Sequence, residues 1–312
     1  MKKLVIVALS AVLALIAVEP AHAEDQKVLA IIDTAIDSTR PEFKDKIIYE
    51  VCFTKSAPMG CNNETTFMDG FQSAASPVWP ITKSGQTESS IYHGHNVVQS
   101  ALKVNPNLKI VFIRVSSITK AGNQAAFEFD PVVSALSWVS NNARTYSIDA
   151  VAVTQASNVS EISYFTGKDK KARLDEYNNY CADPKSSSAV LSLKDQNIPV
   201  FAATGNAKTG EGGNATKVGF PACVSGVYGV GAYSEQYKSL EKATNGKDSA
   251  QLRLVSINLI KIDKYFAKNS DFGATSAATP IAAALYLKSN MNVDLLISRS
   301  EKVLGKYPYI SK

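Results

Sequence analysis

Short apolar runs alternate with amphipathic stretches along most of the chain. Continuously apolar runs predict β-strands at residues 28–32, 109–115, 150–154, 199–203 and 227–232, and helical periodicity predicts helices at residues 130–144 and 186–196. Strands that are apolar on both faces and separated by helices form a mostly parallel sheet covered on both sides. The pattern therefore predicts an α/β fold with a twisted sheet between two helical layers. Two runs within residues 252–266 are expected to pair as a hairpin near the sheet edge.

An almost wholly apolar segment, residues 281–287, follows a turn of small residues that contains Ser276. A helix that is apolar all round is buried in a large domain. We expect Pro280 in the first turn of this helix, where its missing N–H costs nothing. Ser276 then lies at the positive end of a buried helix, where backbone N–H groups can stabilise an oxyanion. The alternative is that Ser276 only caps the helix.

The first 23 residues have the features of a secretory signal peptide. Lys2 and Lys3 precede an apolar run at residues 4–18, and Ala21-His22-Ala23 fits a cleavage site. We expect export to the periplasm or the medium, with residues 24–312 forming a single domain. That part has 31 basic and 27 acidic residues, no basic stripe and no further apolar run long enough to cross a membrane. Nucleic acid is therefore not an expected partner.

The four cysteines all lie in the part of the chain that is expected to be exported. An even number in an oxidising compartment predicts two disulfides, which could pair in three ways. Proximity in the sequence favours Cys52 with Cys61, which leaves Cys181 with Cys223. The alternative of buried free thiols is less compatible with export, and the spacing does not resemble a zinc site.

Only two histidines, His93 and His95, follow the signal peptide. Any serine mechanism that needs an imidazole base must use one of them. A second interpretation is that the His-x-His pair binds a metal in a metal-dependent hydrolase, with a carboxylate such as Asp33 as third ligand.

Four segments resemble motifs of the subtilisin-like serine peptidases, the subtilases. They are Ile-Asp-Thr-Ala-Ile-Asp around Asp33, His-Gly-His-Asn-Val from His93, Ala-Ala-Thr-Gly-Asn ending at Asn206 and Ala-Thr-Ser-Ala-Ala-Thr-Pro around Ser276. Their order along the chain, Asp then His then Ser, is the subtilisin order. The resemblance extends over about residues 28–288 and implies the three-layer subtilisin-like sandwich. It also places His93 at the start of a helix running to about residue 103.

The resemblance implies a role for each of these side chains. Ser276 is the expected nucleophile, His93 the base, Asp33 the carboxylate that orients the base, and Asn206 the side-chain donor to the oxyanion. The pocket for the substrate residue before the cleaved bond would lie between two segments, Thr154-Gln155-Ala156 and Ala203-Thr204-Gly205. The expected partner is a polypeptide substrate, with a protein regulator or inhibitor as a further possibility. No cofactor is required, and structural calcium, common in the family, cannot be assigned to residues.

The chain departs from the family pattern in three respects. Ala35 and Ala274 stand where the motifs have glycine, and no propeptide is recognisable between residue 23 and Asp33. These departures motivate a second hypothesis, a catalytically weak or silent protein that uses the cleft to bind peptide or a partner. Residues 157–188 are expected to form a polar surface excursion beside the cleft, with the basic cluster at residues 168–173 in a solvated loop.

Overall fold

The computed structural model describes residues 26–55, 60–77, 90–118, 127–157, 159, 167–207, 213–214, 216–242, 244–264, 267–290 and 292–311. The predicted signal peptide lies outside these residues. Among the helices described, none is both long and apolar enough to cross a membrane.

The described chain alternates strands and helices. The strands are β1 (Val28–Asp33), β2 (Ile47–Phe53), β3 (Phe67–Asp69), β4 (Lys109–Arg114), β5 (Ile148–Val153), β6 (Val200–Ala203), β7 (Tyr228–Ser234), β8 (Ser239–Leu240), β9 (Leu252–Ile257), β10 (Leu259–Lys264), β11 (Ala267–Gly273), β12 (Glu301–Val303) and β13 (Tyr307–Ile310). The helices are α1 (His93–Val104), α2 (Phe129–Asn142), α3 (Gly167–Cys181), α4 (Pro184–Asp195), α5 (Ala274–Ser289) and α6 (Val293–Arg299).

One large sheet forms the centre of the fold. Its strands follow the order β12-β13-β9-β7-β6-β5-β1-β4-β2-β3, with β8 paired to β7. All pairs from β13 to β2 are parallel, and antiparallel pairing is confined to β2–β3, β12–β13 and β7–β8. Parallel neighbours place their carboxyl ends on one edge of the sheet, and this edge carries the candidate site.

Both faces of the sheet are covered because side chains alternate along each strand. Leu29 and Ile31 of β1 belong to the apolar cluster formed with α1 and α5. Ala30 and Ile32 belong to the cluster formed with α2 and α4 on the opposite face. This arrangement confirms the predicted three-layer α/β fold.

The cysteines lie in the pairs that proximity in the sequence favours. The sulfur atoms of Cys52 and Cys61 are 2.11 Å apart, and those of Cys181 and Cys223 are 1.92 Å apart. The first pair links β2 to the loop before β3, and the second links the end of α3 to the segment before β7.

The predicted hairpin within residues 252–266 is wrong. β9 lies inside the large sheet, parallel to β7, whereas β10 pairs with β11 in a separate antiparallel sheet. Leu254 and Val255 are fully buried, which suits an interior strand rather than an edge. The chain leaves the sheet at Asn258, whose N–H donates to the Tyr233 carbonyl at 2.9 Å.

Two further expectations about helices are corrected. Pro280 lies inside α5 rather than in its first turn, because the helix begins at Ala274, where the N–H is held by the Asn258 carbonyl at 2.7 Å. The basic cluster at residues 168–173 lies in α3, not in a loop. It is solvated as expected, since α3 has no buried residue, and a Lys171–Asp175 ion pair one helical turn apart supports the helix.

Candidate active site

A buried carboxylate and a histidine meet at the carboxyl edge of the sheet. Asp33, the last residue of β1, is fully buried, and both of its carboxylate oxygens lie 2.9 Å from His93 Nδ1. The Thr34 N–H donates to Oδ1 at 2.6 Å, and the Thr154 hydroxyl donates to Oδ2. Burial alone would raise the pKa of Asp33, but His93 and these hydrogen bonds outweigh it and hold the pKa below the ordinary value of 3.8. The carboxylate is therefore charged at neutral pH and accepts from Nδ1.

His93 is positioned by the close approach of α1 to the end of β1. The Gly94 N–H donates to the Thr34 hydroxyl at 3.0 Å. A Cβ at Gly94 would lie only 2.3 Å from the Ala35 carbonyl oxygen, so a larger residue would push the helix away. On its other side, His93 meets the buried ring of Phe272 edge to face, with centroids 5.3 Å apart. The side chain keeps 24% of its surface exposed toward the cleft.

Ser276 lies in the first turn of α5, where backbone N–H groups have no partner within the helix. Gly273 is the N-cap residue, so the alternative that Ser276 caps the helix is wrong. The prediction that Ser276 lies at the positive end of a buried helix is correct, although Pro280 does not mark that end.

Asn206 follows β6 and faces α5. Its side-chain oxygen accepts from the Thr275 N–H at 3.2 Å and from the Thr275 hydroxyl at 2.9 Å. Two donors on the oxygen fix the orientation of the amide, so Nδ2 is the donor that it can present to a ligand.

These side chains line one cleft of about 240 Å³. Its lining residues are His93, Thr154, Gln155, Ala156, Ser157, Gly205, Asn206, Thr275 and Ser276. Of the predicted substrate-contact residues, Ala203 and Thr204 do not line the cleft, because they are buried behind it at 1% and 0% exposure. Ser157 and Thr275 line it without having been predicted, although each is the chain neighbour of a predicted residue.

His95 is directed to different partners. It is buried, and its Nε2 accepts from the Asp37 N–H at 3.1 Å. Burial, reinforced by nearby Arg40, lowers the pKa of His95 to about 3. Within the described ranges, no group of three or more His, Cys, Asp or Glu side chains is arranged to hold a metal ion. The donor set around His93 and His95 therefore does not fit the metal-dependent interpretation.

The two alanines that replace motif glycines differ in backbone conformation. Ala274 has φ 57°, in the left-handed region that favours glycine, whereas Ala35 is not among the residues with positive φ. Of these two alanines, Ala274 alone therefore has a strained backbone conformation.

Sequence reasoning missed a buried arginine beside the site. Arg114 ends β4 and is fully buried, and its guanidinium donates to the carbonyls of Gly60, Ala75 and Ser116 at 2.9, 2.7 and 3.0 Å. Burial lowers the pKa of Arg114 to about 10, so the side chain stays charged at neutral pH. The sequence signal that could have identified it is an arginine that directly follows four apolar strand residues, at positions 110–113.

Comparison with solved structures supports the same fold. No family model matches the chain, and no curated protein matches it. A protease from Pseudoalteromonas arctica has a TM-score of 0.58 at 14% identity, with 92% of this chain and 85% of that chain covered. The epidermin leader peptide processing serine protease from Staphylococcus aureus has a TM-score of 0.55 at 17% identity, with 94% and 74% covered. A mutant of the protease domain of PatA has a TM-score of 0.51 at 14% identity, with 90% and 91% covered. The chain thus has the α/β fold of subtilisin-like proteases.

Proposed function

We propose that the protein is an exported serine endopeptidase that cleaves polypeptides with Asp33, His93 and Ser276, assisted by Asn206. The observation that carries the proposal is the cleft itself. A buried, charged Asp33 holds His93 by Nδ1, and the same cleft is lined by Ser276 and Asn206.

In the proposed reaction, Asp33 fixes the tautomer of His93, so that Nε2 is the nitrogen that takes the proton from the Ser276 hydroxyl. The Ser276 oxygen attacks the peptide carbonyl, and the negative charge on the carbonyl oxygen is stabilised by Asn206 Nδ2 and the Ser276 N–H. His93 then gives the proton to the leaving amine. Water, activated by the same imidazole, hydrolyses the acyl-enzyme and restores the serine.

Export is part of the proposal. The predicted signal peptide and the two cysteine pairs at disulfide distance both suit an oxidising compartment.

A fluorophosphonate probe followed by peptide mass analysis tests the proposal. We expect an adduct on Ser276, and none in Ser276→Ala or His93→Ala. Ser298→Ala, an exposed serine in α6, is the matched control and should label like the unsubstituted protein. Ser276→Ala should also lower turnover by about 10⁶-fold.

The strained backbone at Ala274 favours the second candidate, a silent protein that only binds peptide. Intact protein that binds peptide but is never labelled at Ser276 would support this candidate and refute the peptidase. Hydrolysis that is abolished by a chelator and leaves Ser276 unlabelled would instead support a metal-dependent enzyme.

A further inference from the structure

Resting on the proposed peptidase function, we infer that Asn245 is a positioning residue, which holds Asn206 where its amide can donate to the oxyanion. Asn245 is not among the described residues that line the cleft. It is fully buried, and it contacts Gly205, the residue that precedes Asn206 in the chain. Its effect on the reaction is therefore exerted through Asn206.

The backbone at Gly205 does not by itself fix the direction of the residue that follows. Gly205 has φ 86°, and glycine adopts both positive and negative φ without steric cost. The two hydrogen bonds from Thr275 end on the side-chain oxygen of Asn206, so they orient its amide but do not hold its backbone. Other contacts must fix the point from which the Asn206 side chain extends.

Asn245 and its neighbour Thr244 make these contacts. The Asn245 N–H donates to the Gly205 carbonyl at 3.1 Å, and Thr244 pairs with Asn206 in an antiparallel bridge. The side chain of Asn245 also packs against Gly205, because a Cβ built on Gly205 would lie 3.1 Å from Asn245 Nδ2. The peptide unit between Gly205 and Asn206 is thus held by the main chain and the side chain of Asn245.

The segment that makes these contacts is itself held on two sides. Asn245 Oδ1 accepts from the Asn214 N–H at 2.7 Å, and the Gly246 N–H donates to the Asn214 carbonyl at 2.6 Å. The Thr244 hydroxyl accepts from the Ala232 N–H in β7 at 3.3 Å and lies 3.4 Å from the Ala232 carbonyl oxygen. Replacing Asn245 by alanine removes the acceptor for Asn214, so the segment can shift relative to the cleft.

The rate of fluorophosphonate labelling in a double-mutant cycle tests the inference. Removing one donor to an oxyanion lowers turnover by about 10²–10³-fold, and misplacing a group by about 1 Å can cost about 10²-fold. We expect Asn206→Ala to slow labelling of Ser276 at least about 100-fold, and Asn245→Ala to slow it about 10- to 100-fold. In the Asn206→Ala background, Asn245→Ala should slow labelling by less than about twofold, because no amide is left to position.

Equal slowing by Asn245→Ala in both backgrounds would overturn the inference, since a general loss of structure would act whether or not Asn206 is present. Labelling of Asn245→Ala at the rate of the unsubstituted protein would also overturn it, while leaving the peptidase proposal intact. Asn178→Ala, an exposed position in α3, is the matched control and should label like the unsubstituted protein. If the probe does not modify Ser276 in the unsubstituted protein, both proposals fail.

If Asn245→Ala does not fold, Thr244→Val provides a second variant of the same segment. It replaces the hydroxyl that bonds to Ala232 by a methyl group of similar size. We expect labelling to slow at least about threefold, and by less than about twofold in the Asn206→Ala background. An unchanged rate in folded Thr244→Val, or equal slowing in both backgrounds, would overturn the inference.

Discussion

The two alanines at motif-glycine positions should respond to glycine with opposite signs. Ala274→Gly relieves a backbone at φ 57°, whereas Ala35→Gly replaces an unstrained, fully buried residue in the small cluster with Ile91, Tyr92 and Ile118. The same chemical change is therefore made twice, in two environments that differ in backbone strain and burial.

The magnitudes follow from the two environments. An alanine in the left-handed region costs about 1–2 kcal/mol, and a glycine costs about 0.5–1 kcal/mol in backbone entropy. Ala274→Gly should therefore stabilise the protein by about 0.5–1 kcal/mol. At Ala35 no strain is relieved, the entropy cost remains, and a buried methyl worth about 0.8 kcal/mol is lost. Ala35→Gly should destabilise by about 1.3–1.8 kcal/mol.

Urea unfolding at pH 7, followed by circular dichroism, measures both changes. The Ser276→Ala background prevents self-digestion during the experiment, and equal m-values would show that the denatured states are comparable. A destabilising Ala274→Gly, or two variants that shift in the same direction by the same amount, would refute the reasoning from φ.

Three further predictions concern the pH response, a disulfide and the contact with the imidazole. The pKa of His95 is about 3 in the folded protein and 6.5 in the unfolded chain. Between these pH values the unfolded chain binds the proton more strongly than the folded protein does. The free energy of unfolding should therefore fall by about 1.4 kcal/mol per pH unit as the pH drops below 6. Urea titrations of His95→Gln should show a flatter dependence, and identical slopes would contradict the buried neutral ring. Replacing Cys181 and Cys223, which are 42 residues apart, by serine should lower the free energy of unfolding by about 4 kcal/mol, because the unfolded chain loses a long closed loop. Replacing Cys52 and Cys61, which are 9 residues apart, should lower it by only about 2.7 kcal/mol. Equal losses for the two pairs would contradict this loop-entropy explanation. Phe272→Leu removes an edge-to-face contact with His93 worth about 0.5–1.5 kcal/mol and should lower the fluorophosphonate labelling rate about 2- to 10-fold, whereas Phe272→Tyr should retain it.

The strands of the sheet centre could be predicted closely from the sequence. The apolar runs predict strands at residues 28–32 and 109–115, and the structure has β1 at Val28–Asp33 and β4 at Lys109–Arg114. Both are buried on two faces, so their composition alone distinguishes them from surface segments. The pairing of the strands after β7 was harder to predict. β9 and β10 are adjacent apolar runs in the sequence, but β9 pairs with β7 and β10 pairs with β11.

The candidate site could be predicted where motif residues occupy strand ends or helix starts. Asp33, His93 and Ser276 all lie at such positions, and the structure brings them to one edge of the sheet. The contacts between distant backbone segments could not be predicted. The approach of Gly205 to Ala156 depends on how separate loops pack, and no periodicity in the sequence records that distance.

The position of Pro280 shows why local rules fail here. The fixed φ of proline suggested a first-turn position, but α5 starts earlier because the Asn258 carbonyl holds the N–H of Ala274. A tertiary contact more than a dozen residues away in the sequence decided where the helix begins.

The contacts of Arg114 should not depend on metal ions in the medium. Three chain segments converge on one guanidinium through the carbonyls of Gly60, Ala75 and Ser116. The cation that gathers these oxygens is covalently part of the polypeptide, so dilution or a strong chelator cannot remove it. We expect the contacts between these carbonyls and Arg114 to persist in a medium stripped of divalent ions, and to be lost when the side chain itself is replaced.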